Sequence, residues 1–307
     1  MNTLLVAMAA TALHAAPAAA VPDVAVHGPA GSVLTVVVDS EALRASPHRR
    51  HYQLLVQAVP DYQRVVGQSG LDPIDVYDRV LMSSPDPTRL TETVLVATTA
   101  RDDKELSALL DQVAGEKLSW KKEKGIRTAR PDGAWWVERG DPRVFMRAGS
   151  GTVAFAKPGV GAWFSKAARK GKKKGFPPKI AGGAVLVADI KDLGLPLSGA
   201  GARLPRPARG KVAIIDGQRP EMRIVLKFRS AEDAAGFLAQ WPGVQSELVQ
   251  YWQLAVLGYT KLVARIAATP VGDDQVLLSV KAEPREVERL CKFLSTTIRN
   301  RTKGYQK

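Results

Sequence analysis

Two aspartates occupy matching places in the sequence and are the strongest candidates for carboxylate chemistry. Asp39 ends the β-branched run 33–39, and Asp189 ends the similar run 184–189. If two copies of one unit packed about a pseudo-twofold axis, these carboxylates could face each other as a general acid and base. A carboxylate at the end of a strand also caps a following helix, and we predict this simpler role for both.

Other catalytic or metal-binding chemistry has little support in the sequence. His48 and His51 could share a helix face, but the arginines between them disfavour a metal cation, so we predict surface histidines. Cys291 is the only cysteine and is predicted to be a small buried hydrophobe. No G-x-S-x-G, Walker A or dinucleotide-binding motif occurs. We therefore predict no metal site and no cofactor, and the balance favours a protein that is not an enzyme.

The most specific binding signal is a lysine-rich segment near the middle of the chain. The formal net charge is +14, and no Asp or Glu occurs from Pro142 to Ala188. Like charges this close repel each other, and Gly and Pro flank them, so we predict an exposed mobile linker over residues 157–183. The residues predicted to contact an anionic surface are Lys166, Arg169, Lys170, Lys172, Lys173, Lys174 and Lys179.

Aromatic residues flank the lysines and bear on the identity of that surface. Trp163 and Phe164 precede the cluster and Phe176 follows it. This combination suits an anionic membrane, where rings lie at the interface and lysines reach the head groups. The same cluster would attract nucleic acid or an anionic polysaccharide, and a solvated linker kept charged for solubility is the simplest alternative. Export of the protein would favour a membrane surface or an envelope polymer over nucleic acid.

The first 20 residues have the composition of a secretory signal peptide. They contain no charged side chain, an apolar run at residues 4–10 and three alanines, Ala18 to Ala20, before a predicted cleavage site. An uncleaved membrane anchor is the alternative, but the span is short and weakly apolar for a bilayer. We predict an exported protein of the periplasm or exterior, soluble after cleavage, with a flexible lead over residues 21–31.

The elements that would position these residues occur twice in the same order. β-branched runs predict strands at residues 33–39, 79–82 and 93–98, followed by an amphipathic helix at 102–113. The second half repeats this order from residue 184. We predict a mostly antiparallel α+β fold made of two tandem copies of a strand-helix-strand-strand-helix-hairpin unit, over residues 32–156 and 184–307.

Three short segments resemble a known class of proteins. They are Pro60-Asp61-Tyr62, Ser69-Gly70-Leu71-Asp72-Pro73 and the strand-turn segment at 79–85. In these turns and strands the chain resembles exported proteins of large-genome deltaproteobacteria that have no assigned activity. The resemblance implies an architecture and no function.

The function predicted from the residues is a binding or structural role in the cell envelope, without catalysis. Its partner would be an anionic membrane surface or an envelope polymer. Two alternatives stay open. One is a hydrolase with its site at the junction of the two repeats, and the other is a carrier of an apolar ligand.

Overall fold

The β-branched runs of the sequence form one antiparallel sheet. The computed structural model describes residues 21–58, 70–87, 89–123, 125–132, 140–148, 151–174, 176–180, 182–191, 204–250 and 258–302. The strands are β1 (Leu34–Asp39), β2 (Arg79–Ser84), β3 (Val94–Thr98), β4 (Lys121–Glu123), β5 (Ile126–Ala129), β6 (Val144–Arg147), β7 (Thr152–Ala156), β8 (Ala184–Lys191), β9 (Arg209–Ile215), β10 (Glu221–Lys227), β11 (Ala267–Pro270) and β12 (Gln275–Lys281). Their order is β11-β12-β10-β9-β8-β1-β2-β3-β7-β6-β5-β4, with every neighbouring pair antiparallel.

Helices connect the strands and cover the sheet. Those among the described residues are α1 (Ser40–Ala45), α2 (Arg49–Gln57), α3 (Pro73–Val76), α4 (Asp103–Ala114), α5 (Gly161–Lys174), α6 (Ala231–Gln250), α7 (Thr260–Ala264) and α8 (Pro284–Thr302). Asp102 caps α4, and the Glu105 carboxylate completes a capping box by accepting a hydrogen bond from the Asp102 N–H. The predicted α+β class and the antiparallel sheet are confirmed.

The two halves of the chain meet at β1 and β8. These strands pair with Val37 opposite Val187 and Thr35 opposite Asp189. On either side of this junction lies a three-stranded meander, β1-β2-β3 or β8-β9-β10. In each half a helix and a hairpin follow the meander, and the second strand of the hairpin pairs with the third strand of the meander. The first half has the additional hairpin β4–β5 at the sheet edge. The internal repeat itself stays a prediction.

The segment predicted as a mobile linker is a helix. Residues 161–174 form α5, which follows β7 through the 3₁₀ turn Pro158–Val160. Phe164 is fully buried, and Ala168 is buried one helical turn later in the same core cluster as Met146 of the sheet. Because these apolar positions recur four residues apart, the helix buries one side, while Lys166 and Arg169 are exposed to water. Burial of the apolar side offsets the repulsion on which the linker prediction rested.

The N-terminal lead is packed, where the sequence predicted flexibility. Val21 and Val24 are buried in the core cluster that α5 also joins. Asp23 forms ion pairs with Arg209 (2.8 Å) and Lys211 (3.2 Å) of β9. The lead therefore covers the sheet face that α5 covers further along. The predicted signal peptide, residues 1–20, lies outside the described residues.

Gly28 marks the closest approach of this lead to the sheet. A Cβ atom on Gly28 would lie 2.5 Å from Ser83 Oγ and 2.7 Å from Thr35 Oγ1. These two hydroxyls are buried and share a hydrogen bond of 2.9 Å between β1 and β2. Any side chain at this position would displace them, so the lead can lie flat on the central strands only with glycine here.

The opposite sheet face is covered by the other long helices. Leu106 and Leu110 of α4 pack against Phe145 of β6, and Phe237 of α6 packs on β12. Helices α1, α2 and α8 cover the central strands. Helix α5 thus lies alone among the long helices on its side of the sheet, within the described part of the chain.

Candidate functional site

Helix α5 presents a cationic face to water. Lys166 and Arg169 are exposed, and neither forms an ion pair with a carboxylate of the described residues. Helical spacing places Lys170 and Lys173 on the same side, because they follow Lys166 at i+4 and i+7. We call Lys166, Arg169, Lys170 and Lys173 the cationic face.

The remaining predicted contacts lie beside this face. Lys172 and Lys174 belong to the last turn of α5, and Lys179 is exposed in the segment that follows the helix. The side chains of Lys170, Lys172, Lys173 and Lys174 lie outside the described part of the structure. The structure brings the backbone positions of the predicted basic residues together on one helix and the segment after it.

Two arginines of the acid-free stretch do not reach the surface. The side chains of Arg143 and Arg147 are each 0% exposed. Arg143 pairs with Asp141 at 2.7 Å, and Arg147 pairs with Asp103 of α4 at 2.7 Å. Their charges are offset locally, so these two arginines add nothing to the cationic surface of α5.

The aromatic residues near the lysines are part of the core. Phe164 is fully buried, and Phe176 is 7% exposed. Trp163 packs edge-on against Phe176 with 5.9 Å between ring centroids. The prediction that these rings lie at a lipid interface is corrected, because they hold α5 on the sheet. Contact between α5 and an anionic surface would therefore rest on charge alone.

A cleft of about 700 Å³ opens between the start of α5 and the outer strands β4, β5 and β6. Its charged lining is Lys121, Arg130, Asp132 and Arg169, and all four residues are exposed. Three hydroxyl residues, Ser119, Thr128 and Ser165, also line it. Ile126 and Val144 provide a buried apolar floor. The cleft joins an apolar base to a polar rim with more cations than carboxylates.

Asp189 lies in a charged cluster at the centre of the sheet. Its side chain is 0% exposed and accepts two hydrogen bonds from Arg209, at 2.7 Å from Nε and 2.5 Å from an Nη. The hydrogen bond to Asp189 raises the pKa of Arg209 above its ordinary value. Burial opposes ionisation of Asp23, but Lys211 and Arg209 outweigh it and hold the pKa of Asp23 below its ordinary value. The cluster ties the N-terminal lead to β8 and β9.

The structure does not bring Asp39 and Asp189 together. Asp39 caps α1, as predicted, with its carboxylate accepting from the Ala42 N–H at 2.9 Å. The prediction that Asp189 caps a helix is wrong, because Asp189 lies inside β8, which continues to Lys191, and accepts hydrogen bonds from Arg209. Asp189 lies opposite Thr35, four residues from Asp39 along β1, so the two are separated by about 13 Å at the usual strand rise. In the described residues, the junction of the halves is continuous sheet covered by the N-terminal lead.

The histidines and the cysteine have structural surroundings. His48 is only 4% exposed, and its ring Nε2 lies 3.1 Å from the carbonyl oxygen of Gly217, so the predicted surface histidine is buried. His51 is partly exposed beside it. Cys291 is buried as predicted, and burial raises the pKa of its thiol to about 11. No group of three potential metal-binding side chains occurs among the described residues.

The sequence did not predict the cleft residues, because they lie far apart in the sequence and share no local motif. Lys121, Arg130 and Asp132 lie on or after the β4–β5 hairpin, whereas Arg169 lies on α5. Only the pairing of β5 with β6 and of β6 with β7 brings the hairpin beside the helix. A sequence signal was available in the alternation of Ile126, Thr128 and Arg130, but alternation does not reveal which helix faces the strand.

No protein-family model and no curated protein sequence matches this chain. Among solved structures it is similar to one titled "Structure of crystal form I of TP0453", with a TM-score of 0.46 and 11% identity over 91% of this chain and 98% of that chain. The resemblance to exported deltaproteobacterial proteins stays a prediction. In the described residues, no helix is both long and apolar enough to span a bilayer.

Proposed function

We propose that this protein is exported to the cell envelope and binds an anionic lipid or polymer surface through the cationic face of α5. The observation that carries the proposal is the two-sided character of this helix. Phe164 and Ala168 fix one side on the sheet, and Lys166 and Arg169 are exposed to water on the other. A helix held in place by its core contacts loses little conformational freedom when it binds, which favours association.

The charge of this surface is available to a partner. Lys166 and Arg169 form no ion pair with the described residues, whereas Arg143 and Arg147 are internally paired. Each lysine close to an anionic membrane contributes about 1 kcal/mol of attraction. Because Phe164 and Phe176 are buried, the attraction has no accompanying insertion of rings. Binding of this kind weakens as salt screens the charges.

Export would bring the cationic face of α5 into contact with the cell envelope. The composition of residues 1–20 supports a signal peptide, and Val21 and Val24 are core residues. Cleavage after Ala20 would therefore leave the described fold intact. When the full precursor is expressed in a secreting host, we expect the N-terminal sequence of the exported protein to begin at Val21. Recovery of the chain in the membrane fraction with residues 1–20 attached would instead support the anchor.

Neutralising the cationic face should weaken membrane binding. We expect the variant Lys166→Gln, Lys170→Gln, Lys173→Gln to lose about 3 kcal/mol of attraction, a weakening of roughly 100-fold. The measurement is co-sedimentation with vesicles containing phosphatidylglycerol, with neutral phosphatidylcholine vesicles and duplex DNA as comparators. Tighter binding to DNA than to the anionic vesicles at the same salt would assign the surface to nucleic acid.

A matched control removes the same charge elsewhere. Lys104, Lys117 and Lys261 are exposed, and no ion pair of these side chains occurs within the described residues. Changing all three to Gln lowers the net charge by the same amount as the cationic-face variant. We expect this control to keep most of the vesicle binding. Equal losses in the two variants would mean that net charge, and not the face of α5, governs binding.

A further inference from the structure

The cleft beside α5 has cations without internal partners. Lys121, Arg130 and Arg169 line it and form no ion pair with any carboxylate among the described residues. Within the described part of the chain, the Arg169 side chain donates one hydrogen bond, from Nε to the Ser165 carbonyl oxygen, which leaves its two Nη groups able to bind a ligand. Three positive charges against the single carboxylate of Asp132 give the cleft a net attraction for anions.

The donor types in the cleft match a phosphate group. Guanidinium groups such as those of Arg130 and Arg169 bind phosphate oxygens through paired, charge-assisted hydrogen bonds. Ser119, Thr128 and Ser165 supply hydroxyl groups on the same lining. The first residues of α5, Gly161 and Ala162, also line the cleft, and the Gly161 N–H donates to the Pro158 carbonyl oxygen, so the donors offered to an anion are side chains.

The size and floor of the cleft indicate more than a bare ion. Its volume of about 700 Å³ lies within the range of small-molecule sites. Ile126 and Val144 form an apolar floor that suits the carbon atoms next to a phosphate. Arg169 belongs both to this lining and to the cationic face, so the cleft opens beside the surface proposed to contact an anionic partner.

We propose that this cleft binds a phosphate ester, held by Arg130 and Arg169, with its adjoining carbon atoms over Ile126 and Val144. The phosphate can be carried by a lipid head group or by a free phosphate ester. The lipid source rests on the proposed function, because it requires the protein to meet a membrane. The free-ester source does not depend on membrane binding.

Calorimetric titration of the purified protein with inorganic phosphate and with glycerol 3-phosphate tests the proposal. We expect glycerol 3-phosphate to bind, and the double variant Arg130→Gln, Arg169→Gln to bind it roughly tenfold to a hundredfold more weakly. Asp132→Asn should bind it more tightly, because a repelling carboxylate is removed, and misfolding does not produce such a gain. The proposal is overturned if neither probe binds, or if the double variant binds as well as the unmodified protein.

A vesicle arm separates the two sources. Competition of glycerol 3-phosphate against phosphatidylglycerol vesicles, together with weaker vesicle binding by Arg130→Gln, which lies outside the cationic face, would assign the site to a lipid head group. Loss of probe binding by Arg130→Gln with vesicle binding intact would assign it to a free ester. The Lys166, Lys170, Lys173 variant leaves the cleft lining unchanged, so it should keep probe binding whether or not it binds vesicles. The proposals for the cleft and for the cationic face can therefore be contradicted independently of each other.

Discussion

Phe164→Ala should lower the free energy of unfolding by about 3–5 kcal/mol, the usual cost of removing a buried aromatic ring. Phe164 is fully buried and lies in the core cluster that contains Val37, Leu81 and Met146. Truncation would leave a cavity beneath α5 at the point where the helix is anchored to the sheet. Urea denaturation followed by circular dichroism measures the loss.

A substitution on the other side of the same helix provides the control. Lys166 is exposed on α5, and Lys166→Ala should change the unfolding free energy by no more than about 0.5 kcal/mol. The contrast between the two sides of one helix is what the two-sided structure requires. A loss below about 1 kcal/mol for Phe164→Ala would mean that this segment is the exposed linker that its lysines alone suggest.

Arg209→Met should cost about 3–5 kcal/mol, because it leaves the buried carboxylate of Asp189 without its cation. Asp189 has no exposed side-chain surface, and both of its carboxylate oxygens accept hydrogen bonds from Arg209. Asp189→Asn should cost less, since the Arg209 side chain is 27% exposed and keeps its ion pair with Asp23. Denaturation of both variants in the same buffer gives the comparison.

The control for this pair lies in the same cluster. Asp23 is 38% exposed and contacts the same arginine. Asp23→Asn should therefore cost no more than about 1 kcal/mol, as for other ion pairs in contact with water. If Asp23→Asn and Arg209→Met were equally destabilising, the charge cluster would be acting as a surface network and not as a buried anchor.

The sheet could be predicted from the sequence because its signals are local. The runs that become β1, β3, β8 and β10 are rich in Val, Ile and Leu, and Asp39 carries the side chain that caps α1. The pairing of β1 with β8 was beyond local reasoning. It joins residues about 150 positions apart and depends on which strand edges remain unpaired after the two meanders form.

Helix α5 was mispredicted for a reason that is also physical. Its charge density suggested repulsion, and the Gly and Pro residues that flank the lysines suggested flexibility. The apolar pairs Trp163 with Ala167 and Phe164 with Ala168 follow helical spacing, and their burial outweighs both effects. Lys166 and Arg169 are exposed on the other side, so a helix displays the charge that seemed to oppose its formation.

The charged cluster at the centre of the sheet depended on tertiary structure in the same way. Asp189 was singled out for its position at the end of a β-branched run, but its partner Arg209 gave no signal of its own. The two residues approach because β8 pairs with β9, and Asp23 joins them when the N-terminal lead crosses the sheet. The position of Asp189 in the sequence marked it as notable, but its role as a buried partner of Arg209 depends on the pairing of β8 with β9.

The most direct test of the central claim is the partitioning of the unmodified protein onto phosphatidylglycerol and phosphatidylcholine vesicles across a salt series. Screening lengths fall from about 30 Å at 0.01 M to about 3 Å at 1 M ionic strength, so binding through exposed charge must fall with them. We predict binding to the anionic vesicles at low salt, its progressive loss as salt rises, and none to the neutral vesicles at any salt. Absence of binding to anionic vesicles at low salt, or binding that persists unchanged at about 1 M, would contradict a role for α5 as a charged contact surface.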